Sequence, residues 1–289
     1  MRRGADEDAR LTYLVAAHDC GPFLGDCLAS LAAQTDPRWL AIVADDASTD
    51  DSQDRIRSLL EPRIRLLVNE RRLGYVATLR RLLDEARTDV VAVLDADDAL
   101  EPHATAALIE AYERHPDASL VYSCFAEYDT ALAVCRGAFG GPVPPGGTAI
   151  IDGPVGAIRS FRRSAYARTA GLDSSMQGAE DRDLVYKLEE LAPPVFVNSV
   201  LYRYRIVPGS QSHDPRLREI GLRNARRARR AALTRRRVRG AARLVARCAI
   251  EGDYLASSRR FPALIRAPAS IVYAASAFLW RQLGSGPPR

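Results

Sequence analysis

Three carboxylates follow a short apolar run near the middle of the sequence. Asp95, Asp97 and Asp98 come directly after residues 90–94 (VVAVL), a run that is typical of a parallel strand covered on both faces. Charges this close repel one another, by roughly 1–4 kcal/mol per pair, unless something positive lies between them. Mg²⁺ or Mn²⁺, which prefer carboxylate and phosphate oxygens, would provide that charge. The alternative is an acidic turn in which Asp98 caps a helix over residues 99–114.

Carboxylates also follow two earlier predicted strands. Apolar patterning predicts strands at 11–17, 39–44, 63–68 and 89–94, and helices at 23–33, from Ser52, and at 74–86. This alternation predicts a doubly wound, mostly parallel sheet with helices on both faces. Ligands bind outside the carboxyl ends of such strands, so Asp19, Asp46 and Asp97 are expected to approach one cleft.

The charge of the chain is unevenly distributed. The 289 residues carry a formal charge of +5, yet residues 214–289 hold 18 Arg and four carboxylates, a net charge of +14. Residues 1–213 are therefore acidic, with a net charge of −9. We expect a cation-dependent main domain followed by a basic extension that meets anions, a membrane surface or a partner. Lys187 is the only lysine, a bias typical of a bacterium with a high GC content.

Several common protein classes do not fit the sequence. The five cysteines are odd in number and lack Cys-x-x-Cys spacing, which argues against a zinc site or a disulfide framework. No signal peptide is recognisable, and the longest apolar stretch, residues 267–280, is shorter than the ~20 residues that span a bilayer. A cytoplasmic location is expected. Without a dinucleotide-binding glycine motif or a P-loop, phosphates would be held by a metal and by arginine.

Four segments together resemble a known family. They are residues 43–52 (VADDASTDDS), Asn69 with Gly74, residues 94–98 (LDADD) with Leu100 and Pro102, and residues 178–184 (GAEDRDL). In this order and spacing they resemble the inverting, nucleotide-sugar-dependent glycosyltransferases of family 2, over residues 11–213. The resemblance implies a GT-A-type sheet followed by a basic α-helical extension. It divides the chain into a catalytic domain, with a nucleotide-sugar half (about 11–100) and an acceptor half (about 101–213), and an extension at 214–289.

The resemblance also implies roles on the donor side. Asp46 would accept a hydrogen bond from the N3 hydrogen of a uracil-type base, and Asp19 would line the same pocket. Asp95 would contact the ribose, and Asp97 would bind the Mn²⁺ or Mg²⁺ that bridges the diphosphate. Arg80 stands where the family often has asparagine, so a contact to the donor there would be ionic. The opening strand departs from the family pattern at residues 16–19 (AAHD), which leaves the base pocket open to variation.

Acceptor-side roles follow from the segment at 178–184. Asp181 would be the general base for an acceptor hydroxyl, and Glu180 would orient it. The alternative is that these acids simply complement the dipole at the start of a helix. Arg203 and Arg205 are candidates for contacting the diphosphate, and His213 for a further metal ligand, although a histidine in a polar loop is often only solvated.

Two further regions carry expectations. The glycine- and proline-rich residues 137–156 predict a mobile loop on the acceptor side, or an ordinary surface excursion. Residues 161–166 predict a helix after it.

Residues 216–247 predict one long Ala/Arg helix. It would pack on the domain or on a second subunit, or attract anionic lipids with the help of an amphipathic segment. That segment comprises Phe261, Leu264, Ile265, Ile271, Val272, Phe278 and Trp280.

The sequence therefore predicts an inverting glycosyltransferase. It would move a single sugar from a nucleoside-diphosphate sugar, with a UDP-sugar as the expected donor, to a hydroxyl of a saccharide, glycolipid or small metabolite. A nucleotidyltransferase that makes nucleotide-sugars, or a non-catalytic anion- or nucleotide-binding protein with a degenerate domain, are the alternatives. A homodimer and peripheral contact with the inner face of the membrane are further expectations. Nucleic-acid binding is not expected, because no matching motif accompanies the arginines.

Overall fold

Four parallel strands form the first half of the sheet in the computed structural model, which describes residues 8–59, 61–153, 155–210 and 212–283. The strands are β1 (Leu11–Ala17), β2 (Trp39–Asp45), β3 (Ile64–Val68) and β4 (Val90–Val93). Their spatial order is β3-β2-β1-β4, so the strand order reverses between β1 and β4. Leu14 of β1 lies opposite Ile42 on one side and Val93 on the other.

Helices connect these strands and cover the sheet. Leu24, Cys27, Leu28 and Leu31 are buried on one face of α1, as their helical spacing predicts. The predicted strand–helix alternation is confirmed, with boundaries that differ by one or two residues. The helices are α1 (Gly21–Ala32), α2 (Ser52–Ser58), α3 (Tyr75–Glu85) and α4 (Ala104–Arg114).

The second half of the sheet is mixed. Its strands are β5 (Ala99–Leu100), β6 (Leu120–Tyr128), β7 (Cys135–Phe139), β8 (Ser160–Arg162) and β9 (Val195–Arg205). β8 pairs antiparallel with both β4 and β6, whereas β9 runs parallel to β6 and antiparallel to β5. β7 pairs with β6 outside the main path, and a short helix, α6 (Arg163–Tyr166), follows β8.

Two sequence-based helices are wrong at their starts. The helix expected from residue 99 begins at Ala104, because Ala99 and Leu100 pair as a strand with β9 and Asp98 does not cap a helix. The helix expected over 161–166 is helical only from Arg163, because Phe161 lies opposite Val91 and Leu120 in the sheet. Both errors come from partners distant in sequence, which no local pattern reveals.

Contacts divide the chain into two compact units. The first contains the whole sheet and comprises Met1–Gly141, Gly156–Arg168 and Pro194–Ile206. The second comprises Pro142–Val155, Thr169–Pro193 and Val207–Arg289. Its helices are α5 (Ala149–Asp152), α7 (Glu180–Glu189), α8 (Pro215–Arg235), α9 (Gly240–Ser257) and α10 (Ala263–Gln282). The predicted division into a catalytic domain up to residue 213 and an extension at 214–289 remains a prediction.

The expected single helix over 216–247 is wrong. α8 ends at Arg235, and the next residues turn through a left-handed conformation at Arg237, whose φ is +53°. The N–H groups of Arg237 and Val238 bond to the carbonyls of Thr234 and Leu233 at 3.0 Å each, which satisfies groups that the helix end leaves open.

The segment 137–156 contains the end of β7 and all of α5, and its role on the acceptor side remains a prediction.

α9 and α10 form a close pair within the second unit. A Cβ at Gly252 would lie 2.8 Å from the Tyr273 nitrogen and 2.9 Å from the Ala269 carbonyl oxygen, so only glycine permits this approach. α10 has 20 residues and, by length and composition alone, could cross a bilayer. The expectation that residues 267–280 are too short to span a bilayer was wrong, because the helix continues on both sides of this stretch.

A buried ion pair joins three helices of the second unit. Glu189 on α7 accepts hydrogen bonds from the Thr148 hydroxyl at 2.8 Å and from the Ala149 N–H, on α5, at 2.7 Å. The guanidinium of Arg236, just after α8, lies 2.6 Å from the same carboxylate, and the two side chains are 5% and 1% exposed. Breaking such a pair strands a charge away from water.

We expect Glu189→Ala to lower the free energy of unfolding by about 3–5 kcal/mol, since Arg236 loses its closest buried partner. Urea unfolding followed by circular dichroism measures this change. Glu110→Ala is the control, because the Glu110–Arg114 pair is exposed and should contribute ~1 kcal/mol or less. Equal losses in the two variants would contradict the buried-pair analysis.

Candidate functional site

The carboxylate of Asp46 is held rigidly just beyond β2. Its Oδ1 accepts from the Asn69 side chain at 2.7 Å and from the Leu73 N–H at 2.8 Å, and its Oδ2 accepts from the Gly74 N–H at 2.8 Å. Burial opposes the charge, but these hydrogen bonds outweigh it and hold the pKa of Asp46 below its usual value. The Thr78 hydroxyl also contributes to the lowered pKa of Asp46, so this carboxylate is almost fully supplied with hydrogen-bond donors.

Asp19 lies on the loop that follows β1 and is tied to the loop after β2. Its carboxylate accepts the Thr49 N–H at 2.7 Å, and its own N–H donates to the Ser48 hydroxyl at 3.1 Å. The Thr49 hydrogen bond is the largest cause of the lowered pKa of Asp19. Its side chain is 41% exposed, so this anionic group faces solvent beside the β2 loop.

Asp95 stands at the end of β4, next to the point where the strand order reverses. The hydroxyls of Tyr75 and Tyr202 lie 3.3 Å and 3.4 Å from its two carboxylate oxygens, and the Arg159 guanidinium lies 4.0 Å away. The Leu94 N–H donates to the Leu14 carbonyl at 3.1 Å, which anchors the turn to β1. The loops after β1, β2 and β4 thus all lie at the carboxyl edge of the parallel strands, as predicted.

Asp97 is a carboxylate whose negative charge is unfavourable in its surroundings. Burial, and then the charge of Asp95, raise the pKa of Asp97 to about 6. The residue's carbonyl, by contrast, accepts from Arg205 Nε at 2.5 Å. A bound cation would relieve the unfavourable charge, so the donor set at Asp95 and Asp97 fits a divalent metal.

The metal would need ligands from outside the protein. Within the described ranges, no cluster of three or more His, Cys, Asp or Glu side chains is arranged to hold a metal ion. Mg²⁺ and Mn²⁺ are commonly bound by one or two carboxylates together with waters and substrate phosphates. The carboxylates present fit that mode rather than an all-protein cage.

Asp98 is a buried structural acceptor. It accepts from the Tyr202 hydroxyl and from the Arg205 N–H, both at 2.7 Å. Burial, and then the charges of Asp97 and Asp95, raise the pKa of Asp98 well above its usual value. Its role is to fasten the turn to β9, and sequence analysis missed Tyr202 because the contact joins residues about a hundred positions apart.

Arg203 and Arg205, the predicted diphosphate contacts, are both engaged within the first unit. Arg203 forms a bidentate pair with Glu101 at 2.7 Å and 2.8 Å. Arg205 is 3% exposed and pairs with Asp26 at 2.8 Å. These contacts favour positioning roles, and the diphosphate role remains a prediction.

Arg80 lies on α3 and is exposed. Its neighbour Arg81 donates to the Val68 carbonyl at 2.9 Å and also contacts the Asn69 side chain that supports Asp46. Sequence analysis singled out Arg80 and missed Arg81. Because α3 follows β3 after a loop, the sequence could have indicated that a side chain of α3 faces back to β3. The predicted donor contact of Arg80 remains a prediction.

The remaining predicted site residues belong to the second unit. Glu180 and Asp181 begin α7, as the acidic segment predicts. Glu180 is buried, and burial followed by the charge of Asp181 raises the pKa of Glu180. Asp181 is only half-buried, and its Oδ1 accepts the Arg182 N–H at 2.7 Å. His213 contacts the Ser210 hydroxyl at 3.0 Å.

Solved structures share this fold. TarS residues 1–349 of S. aureus, in complex with UDP-GlcNAc, aligns with a TM-score of 0.59 at 14% identity, covering 95% of this chain and 90% of that one. Mannosyltransferase PcManGT from Pyrobaculum calidifontis, in complex with GDP-Man and Mn²⁺, gives a TM-score of 0.58 at 17% identity, covering 96% and 83%. The fold is therefore that of the GT-A glycosyltransferases.

Part of the sequence matches a known family model. Residues 12–133 match the model of Glycosyl transferase family 2, a range that contains Asp19, Asp46, Asp95 and Asp97. This part of the chain therefore carries a family 2 glycosyl transferase domain. The O-antigen biosynthesis protein RfbC of Myxococcus xanthus is 29% identical over 204 residues, covering 68% of this chain and 16% of that protein. Chondroitin synthase of Escherichia coli is 24% identical over 212 residues, covering 72% and 30%. The chain spans less than a third of either relative.

We expect Asp97→Asn to stabilise the metal-free protein at pH 7 but not at pH 4. The folded pKa of about 6 exceeds the ordinary value of 3.8, so the native state loses stability as the pH rises between these values. Asparagine removes this cost, a gain of about 1–3 kcal/mol at pH 7. Urea unfolding in a chelator at both pH values measures it. Asp54→Asn, at an exposed position of α2, is the control, and the same effect of Asp97→Asn at pH 4 and pH 7 would refute the assignment.

Proposed function

We propose that the protein transfers a single sugar from a nucleoside-diphosphate sugar, with a UDP-sugar as donor, to a hydroxyl of its acceptor. The observation that carries this proposal is the grouping at one sheet edge of a preorganised Asp46, an exposed Asp19 and the neighbouring Asp95 and Asp97, of which Asp97 has a raised pKa. Two structural neighbours, TarS and PcManGT, form complexes with UDP-GlcNAc and GDP-Man, which supports this class of donor.

The donor's nucleoside is assigned to Asp46, Asp19 and Asp95. Asp46 is fixed by hydrogen bonds from Asn69, Leu73 and Gly74, and its carboxylate would accept the N3–H of a uracil base as a further hydrogen bond. Asp19 borders the same loop, and Asp95, at the end of β4, would accept from the ribose hydroxyls. Because these carboxylates are preorganised, little ordering would be needed on binding.

The diphosphate is assigned to Asp97 with Mn²⁺ or Mg²⁺. When bound, the cation would supply positive charge that stabilises the departing nucleoside diphosphate. Asp97 would hold it, with Asp95 nearby and His213 as a further candidate ligand. Arg205 would orient Asp97 through its carbonyl, and Arg80 and Arg203 remain candidates for ionic contact with the donor.

Asp181 is the proposed general base. An inverting transfer needs one group to remove the proton of the acceptor hydroxyl while its oxygen attacks the anomeric carbon opposite the leaving diphosphate. Of the two acids that begin α7, Asp181 is the more accessible, and burial raises the pKa of Glu180 beside it. Glu180 would orient the pair. The acceptor class and a homodimer remain predictions.

Thermal unfolding in the presence of UDP, dTDP, GDP and CDP, each with and without Mn²⁺, tests the donor site. We expect UDP with Mn²⁺ to stabilise most, by about 2.7 kcal/mol at a hundred times its dissociation constant. In Asp97→Asn the part of this gain that depends on Mn²⁺ should disappear. If none of the four diphosphates stabilises the protein, the donor proposal fails.

Asp181→Asn should lower the transfer rate by about 10²–10⁴-fold, because the variant retains the shape of the side chain but not its basicity. Product formation from a radiolabelled UDP-sugar measures the rate, and UDP-induced stabilisation should be unchanged. Asp173→Asn is the control, a carboxylate elsewhere in the second unit that bonds to the Ser175 N–H at 2.8 Å. Normal turnover by Asp181→Asn would rule out its role as the base.

A further inference from the structure

One face of α10 exposes large apolar side chains in two adjacent rows. Leu264, Ile271 and Phe278, spaced seven residues apart, are 85%, 72% and 58% exposed. Ile265, Val272 and Leu279, with the same spacing, are 42%, 46% and 49% exposed. Residues seven apart lie almost in line along a helix, so the six side chains form one continuous surface, called here the α10 face.

The α10 face lacks the polar side chains of an ordinary surface helix. Residues 267–280 contain no charged residue, although a helix at a protein surface usually turns charged side chains to water. The opposite side of α10 is already used, because Ala269, Ser276, Ala277 and Trp280 are buried. An exposed apolar surface of this kind marks a place where something else binds.

Exposed arginines lie on and around α9, the helix that pairs with α10. Arg237 and Arg239 precede α9, Arg247 lies on it, and Arg259 lies in the turn to α10. All four are exposed, and in the described part of the chain none of them forms an ion pair with a carboxylate. Residues 214–289 as a whole carry a net charge of +14.

We propose that the α10 face inserts into the surface of an anionic lipid bilayer, with the unpaired arginines at the head groups. The apolar side chains suit the hydrocarbon region of such a bilayer, and the arginines suit its anionic head groups. Each arginine near the membrane surface adds to the attraction. A second copy of the chain is a poorer occupant, because it would bring another +14 region against the first.

α10 lies in the plane of the membrane surface rather than across the bilayer. One side of it packs on α9 through the close approach at Gly252, and α9 carries Arg243, Arg247, Glu251 and Asp253. Taking α9 into hydrocarbon would bury these charges, at a cost that α10 alone cannot offset. The structure also corrects the membrane segment expected from sequence. Trp280 is 1% exposed, and Phe261 makes an edge-to-face contact with Tyr254, with ring centroids 6.2 Å apart.

Co-flotation of the full chain with lipid vesicles tests the proposal. We expect binding to vesicles of phosphatidylcholine with phosphatidylglycerol, weak binding to phosphatidylcholine alone, and a decline as salt rises. Replacing Ile271 and Phe278 together by Asp should lower the partition coefficient at least ~10-fold, and replacing Arg259 by Glu should lower it about five-fold or more. Val134→Asp is the matched control, since Val134 is an apolar residue 59% exposed in the first unit.

Several outcomes would overturn the proposal. The first is unchanged flotation of the Ile271/Phe278 variant. The second is resistance of the wild-type protein to alkaline extraction, which would indicate a helix that spans the bilayer. The third is a wild-type dimer that the same substitutions dissociate, which would indicate that a second copy covers the α10 face. The double change Ile271→Ser and Phe278→Ser provides a milder variant, and circular dichroism checks that both variants fold. Nucleotide-induced stabilisation should be the same in all of them, so this test is independent of the donor site.

Discussion

Repulsion between carboxylates at the carboxyl edge of the parallel strands is the constraint on which the first unit depends. Asp46, Asp95, Asp97 and Asp98 gather where water cannot fully solvate them. The fold compensates them unequally. Asp46 receives three hydrogen bonds and keeps its charge, whereas the pKa of Asp97 is raised to about 6. A site built this way is stable alone but favours a cationic ligand.

β9 makes that arrangement possible. It runs parallel to β6 and pairs with the two residues of β5 directly after the acidic turn. From this position the Tyr202 hydroxyl and the Arg205 N–H reach Asp98, and Arg205 also reaches the Asp97 carbonyl. The turn is thus fixed from both sides, by β1 through Leu94 and by β9. Rigid support of this kind is what a binding site needs if little ordering is to occur when the ligand arrives.

The second unit meets the opposite charge problem. Many of its arginines are neutralised internally, as Arg236 is by Glu189 and Arg229 by Asp253. The arginines around α9 that remain unpaired accompany the exposed apolar face of α10. The acidic groups of the sheet and the exposed arginines of the helical region thus lie in different parts of the chain.

The sequence by itself determined the strand–helix order of residues 11–94, because period-two and helical apolar patterns are local and depend on side chains a few positions apart. It also located Asp46 and Asp97 at strand ends, because parallel strands share one carboxyl edge. Only the tertiary structure decided that Asp98 fastens β9 instead of capping a helix, that Arg203 and Arg205 are internally paired, and that Trp280 is buried. Each of these depends on a partner far away in the chain, and local patterns contain no information about which distant residues will meet.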